Sequence, residues 1–153
     1  MNYLTREKAS KLILEIGLPD FFIDVINENV TDPVDLHFAC SPLYYLSEGE
    51  QKAYEFGDII PLWASYSGDI NFAYDIHKKD YFLFFLEEGE IEQRYNWDQL
   101  MKQAVETAME HEFDADIDNA DAIKKVKLIF SGLKLNKLDT IIKEVQDDWG
   151  KYT

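Results

Sequence analysis

The sequence predicts an α+β fold: a twisted antiparallel β-sheet meander flanked by N-terminal and C-terminal α-helices. Three observations predict it. Apolar residues recur at helical spacing near the start (Leu4, Ala9, Leu12, Ile13, Ile16), alternate with period two on both sides of Ser67-Gly68-Asp69, and return to helical stripes after Asn96. Helices, then antiparallel strands, then helices is an α+β order. The 153 residues suit a single domain spanning residues 1–153, with no repeat, low-complexity tract or linker to divide it.

Taken in order, Thr5 to Ile16 reads as an amphipathic helix. Thr5 can cap its start, Gly17 can take the left-handed stop, and Pro19 prevents continuation. Phe21, Phe22, Val25 and Ile26 suggest a short second helix with Pro19 in its first turn, although FFIDVI also reads as a strand. Thr31-Asp32-Pro33 is a turn. His37 to Leu46 is β-like, interrupted by Ser41-Pro42 as an edge or bulge, and Ser47-Glu48-Gly49-Glu50 is the next turn.

Ile60, Leu62, Ala64 and Tyr66 alternate onto one face before the Ser-Gly-Asp turn, and Ile70, Phe72, Tyr74 and Ile76 do so after it. This is a hairpin pattern, with Gly68 free to adopt the positive φ of a tight reversal and Pro61 confined to a strand edge, start or bulge. Tyr81 to Leu86 is apolar on both faces, which predicts an interior strand. Glu87-Glu88-Gly89-Glu90 reverses the chain into Ile91 to Tyr95. Asn96 and Gln99 have capping-box spacing before a stripe through Leu100, Met101, Val105, Ala108 and Met109. Asp118 or Asn119 starts a helix stopped by Gly132, and Asn136 caps the last, with Leu138, Ile141, Ile142, Val145 and Trp149 on one side.

Charge narrows the function more than composition does. Thirty acids against fifteen bases leave a net charge of −15, and the acids cluster. From Leu12 to Gln51 there is no Lys or Arg but eight acids, and Gln103 to Ile123 is a second base-free acidic window. Such a surface repels phosphate backbones, so nucleic acid is not an expected partner. It attracts basic proteins, although acidity also serves solubility alone. The longest apolar run is too short for a bilayer, no secretory signal is visible, and the single Cys40 excludes an internal disulfide. The expectation is a soluble cytoplasmic protein with no membrane partner.

No catalytic motif stands out. Asp114-x-Asp116-x-Asp118-Asn119 starts like a calcium loop, but Asn119 and Lys125 occupy the positions that need glycine and a bidentate carboxylate. The acids therefore read as a helix N-terminus. His37, His77 and His111 lie on separate segments without zinc spacing. Cys40 beside a histidine-bearing segment is either a nucleophile or a small core residue. Carboxylate pairs of a hydrolase arise by chance in so acidic a chain. The sequence thus predicts no catalytic residue, no metal and no cofactor.

The segment IIPLWASYSGDINFAYDI adds a resemblance. Ile60-Pro61, then Ser67-Gly68-Asp69, then Asp75 resemble the signature of the SUKH superfamily, which groups bacterial polymorphic-toxin immunity proteins with fungal regulators of cell-wall glucan synthesis. Leu18-Pro19 after a first helix and the aromatic stretch Tyr95 to Leu100 are also similar, whereas Asn27-Glu28-Asn29-Val30 stands where many members have Asn-Gly-Gly. The resemblance implies a twisted antiparallel sheet with flanking helices, and binding without catalysis: neutralisation of a cognate toxin, often a nuclease, or else a regulatory scaffold. A partner would contact Trp63, Tyr66, Asp69 and Asp75, for which the plainer readings are burial of both aromatics, a turn-shaping Asp69 and a strand-ending Asp75.

Overall fold

The computed structural model describes residues 1–114 and 118–150. Its α+β character is as expected, and its contacts gather into two compact units, Met1–Asn96 and Trp97–Thr153. The boundary has no linker signature because a strand ending at Tyr95 is followed by a helix starting at Trp97.

In the first unit, helix α1 spans Arg6–Ile16. The Thr5 hydroxyl accepts from the Lys8 N–H, and Gly17 takes φ 87° and donates its N–H to the Ile13 carbonyl. Helix α2, Phe21–Ile26, settles the ambiguity of FFIDVI in favour of helix, because Phe21, Phe22, Val25 and Ile26 are all buried. Pro19 stands before the Asp20 cap rather than inside the first turn. The segment expected to be β-like is not a strand. Val34–Leu36 and Pro42–Tyr45 form short 3₁₀ turns, and only Ala39 bridges to Ala64. Pro42 starts the second turn and the Ser41 hydroxyl caps it, so the same two residues that interrupt a strand pattern start a helical turn. Nor is Ser47 to Glu50 a simple reversal. It opens helix α3, Glu48–Lys52, with a complete capping box between Ser47 and Glu50.

The sheet follows as a meander, β1 Ile59–Ala64, β2 Ile70–Asp75, β3 Asp80–Phe85 and β4 Ile91–Tyr95, all neighbours antiparallel in that order. Pro61 lies on an edge strand and beside a bulge, since the register shifts between Pro61 and Trp63. That shift breaks the simple alternation expected of β1, whose six residues are all buried, and Tyr66 falls in the turn rather than the strand. β3 is interior, as its apolar faces require. Leu43, Ile59, Ala73, Phe82 and Phe84 form a core that Tyr54 and Phe56 flank.

In the second unit, α4 (Trp97–Asp114) packs against both α5 (Asn119–Ile129) and α6 (Leu138–Gly150). Its stripe Leu100, Met101, Val105, Ala108 and Met109 is buried. Asp118 caps α5, accepting from Ala120 and Asp121 N–H groups at 2.7 and 3.1 Å. The helix ends at Ile129, before Gly132, and Lys134 takes the left-handed turn at φ 51°. Asp116 of the acidic repeat lies outside the described residues. Lys125 instead reaches Glu112, a buried carboxylate, at 3.3 Å, so one acid of the second window is compensated internally. No helix among the described residues is long and apolar enough to cross a membrane.

Candidate protein-interaction surface

The hairpin turn is built by short-range bonds. Ser65 pairs with Ile70 through its N–H (2.8 Å), and Gly68 donates to the Ser65 carbonyl at 2.9 Å while holding φ 83°. A buried relay then ties the turn to the preceding loop. The Asn71 amide donates to the Gly68 carbonyl at 2.9 Å, and its oxygen accepts from the Ser41 hydroxyl at 2.7 Å. These bonds tie turn and loop into one corner.

The four residues expected to meet a partner separate into two pairs. Trp63 is 2% exposed, stacked between Phe22 (5.6 Å) and Phe72 (4.5 Å), and it is a core residue rather than a surface anchor. A large aromatic on a strand covered by α2 gains more from burial than from display. Asp75 is also buried, and its carboxylate is occupied internally. It accepts the His77 and Lys78 N–H groups at 3.1 and 3.0 Å and pairs with Arg94 at 3.2 Å. Burial alone would raise its pKa, but the Lys78 N–H, the Arg94 guanidinium and the His77 N–H outweigh it and hold the carboxyl below its ordinary range. Tyr66, 74% exposed, and the exposed Asp69 stand at the turn itself.

That turn has an acidic neighbour. Ile70 pairs with Phe85, and the Asp69 carbonyl accepts from the Leu86 N–H at 2.8 Å, so the β1–β2 and β3–β4 turns share one end of the sheet. Here Glu50, Glu55, Glu87, Glu88 and Glu90 line a recess of about 570 Å³ with Tyr54 on its wall and no Lys or Arg in its lining. Tyr54 holds the corner by donating its hydroxyl to the Leu86 carbonyl at 2.7 Å. The Glu88 carboxyl is raised above its usual value, first by hydrogen bonding to the Glu92 side chain, then by desolvation and the Glu92 charge. Glu50 and the group Glu87, Glu88 and Glu90 are legible in the sequence only as parts of two separate turns, each holding Glu-Gly-Glu; their convergence, with Glu55, is tertiary.

Nearby, Arg6 joins several groups. It donates to the Ile26 carbonyl at 2.9 Å, pairs with Glu28 at 3.4 Å and lies 4.6 Å from the Tyr45 ring centre. The Tyr45 hydroxyl donates to Glu28. Glu28 itself takes a left-handed φ of 58° just past the end of α2, where the Asn29 N–H closes on the Asp24 carbonyl at 2.8 Å. Cys40 sits beside this group, its thiol 3.3 Å from the Ile26 carbonyl, and burial pushes its pKa up despite Arg6. That is the reverse of the depression that activates a cysteine nucleophile.

No family model, curated protein or solved structure matches this chain.

Proposed function

We propose that this protein is a non-catalytic acidic binding module of the SUKH type, an immunity protein that binds and neutralises a cognate basic toxin, often a nuclease. The observation that carries this reading is the base-free recess of Glu50, Glu55, Glu87, Glu88 and Glu90 beside the hydrogen-bonded hairpin corner. A nuclease must present cations to phosphate, and a fixed carboxylate surface competes for those cations. Clustered charge of one sign also accelerates encounter with a basic protein, by 10–10³ on the order of magnitude expected of electrostatic steering. Tyr66 and Asp69 at the adjoining turn supply an exposed aromatic and a further carboxylate.

A carboxylate-pair hydrolase would need an acid held protonated by apolar surroundings. Glu88, whose carboxyl is raised beside Glu92, is exposed, as Glu92 is, which favours recognition over catalysis.

Co-purification with the product of the adjacent gene tests the proposal. A complex that weakens steeply with salt, and whose association slows when Glu87, Glu88 and Glu90 are replaced by Lys, is expected. Failure to form a salt-sensitive complex with any basic neighbour removes it, and capture of many partners rather than one favours the regulatory-scaffold alternative.

A further inference from the structure

The two edges of the sheet are finished differently. β1 is closed: Ala64 exchanges both backbone bonds with Ala39 at 3.0 and 2.8 Å, and Pro61 has no N–H while its carbonyl accepts from the Tyr44 hydroxyl at 2.6 Å. β4 pairs with β3 alone, and among the described residues no backbone group of Ile91–Tyr95 bonds to backbone on its other side. Ile91, Glu92 and Gln93 are exposed. Lys, Pro, a bulge or an inward-turned charge commonly guards such an edge. β4 has the bulge and the inward charge, with Arg94 turned across the sheet to Asp75 and Asp80 and 5.7 Å from the Phe82 ring centre, but it carries no Lys or Pro. The charges left at the turn end of this strand are Glu88, Glu90 and Glu92, all exposed and negative.

We propose that β4 is a strand-addition site, and that its occupant is an extended segment of a partner protein with Lys or Arg at alternate positions. The inference rests on the reading of the protein as an acidic binding module and specifies how the partner is held. An added strand gains main-chain hydrogen bonds from the open edge, while its alternate side chains set specificity. The register shift in the β3–β4 pairing, where Gln93 faces Leu83 and Ile91 faces Phe84, leaves Glu92 as the extra residue. Regular pairing is therefore offered by Gln93–Tyr95, and the basic side chains of the docked strand continue past the bulge toward Glu92, Glu90 and Glu88.

Two blocked peptides of equal length and charge test this with the intact protein, one alternating lysine and valine, the other lysine and proline. The lysine–valine peptide is expected to bind one to one and to slow amide hydrogen exchange in β4. The lysine–proline peptide, which cannot complete a ladder, is expected to bind about tenfold more weakly. Gln93→Lys, which places a guarding cation on an exposed position, is expected to cost the first peptide about tenfold in affinity and leave the fold intact. Equal binding of the two peptides, protection confined to other segments, or concentration-dependent self-pairing through β4 overturns the inference. A basic neighbour protein that binds without protecting β4 overturns it too while leaving the immunity reading in place. Peptide binding at β4 without any basic neighbour in complex removes the immunity reading alone.

Discussion

A Cβ on Gly68 would stand 2.8 Å from the Cγ of Pro42, so the hairpin turn and the preceding 3₁₀ turn close on each other only because residue 68 lacks a side chain. Gly17 offers a control, because it has a similar φ of 87° and a Cβ there would meet nothing within 4 Å. Gly17→Ala is expected to cost about 1 kcal/mol for the left-handed conformation. Gly68→Ala is expected to cost about 3 kcal/mol, adding the steric term to the same conformational one. Urea unfolding of both variants measures the difference, and Pro42→Ala in the Gly68→Ala background should recover part of it. Equal losses at the two glycines would show that the Pro42 contact yields freely.

Trp63 and Tyr66 stand three residues apart in opposite environments. Trp63→Ala opens a cavity between Phe22 and Phe72 and is expected to destabilise by about 4 kcal/mol. Tyr66→Ala is expected to stay within about 0.5 kcal/mol in stability, because it removes exposed surface only. Thermal unfolding separates the two, and a large stability loss at Tyr66 would contradict its placement.

Gln51 binds three backbone groups from two distant segments. Its amide donates to the Leu4 and Leu43 carbonyls at 2.9 and 2.8 Å, and its oxygen accepts the Leu4 N–H at 2.8 Å. Gln51→Leu keeps the volume but strands those groups, and is expected to cost about 3 kcal/mol. Ser47→Ala, which removes only the cap of the same helix, should cost about 1 kcal/mol by denaturant titration.

Asp75 gives stability a pH dependence. Its native pKa lies below the ordinary value, so the unfolded chain takes up the proton first as pH falls. The contribution is complete above the unfolded pKa of about 3.9 and disappears as pH drops through the lower native value. Asp75→Asn is expected to cost about 2 kcal/mol at neutral pH, from bonds to a charged group. The gap from wild type should narrow below about pH 4, and a gap that persists unchanged there would assign the loss to packing instead.

Much of the fold is legible in the sequence where the deciding interactions are local. Thr5 and Gly17 bound α1, Ser67-Gly68-Asp69 reverses the first hairpin, and the doubly apolar Tyr81 to Leu86 supplies the interior strand. The segment from His37 to Glu50 misleads for a related reason. Ser41-Pro42 and Ser47-Glu48-Gly49-Glu50 serve equally as strand breakers and as starts of short helical turns, and tertiary bonds make the choice: Ser41 to Asn71, Tyr44 to the Pro61 carbonyl, Gln51 to Leu4.

By itself, the amino-acid order determined the first helix, the meander after Ile59 and the helices after Asn96, the excess of acid over base and the glycine at the turn, because each depends on spacing along the chain or on simple counting. Only the tertiary structure decided that Trp63 faces inward, that Asp75 is consumed by Arg94 and its own turn, and that Glu50 and Glu88 line one recess. Burial and electrostatics act through space, between residues whose separation in sequence carries no information about their distance.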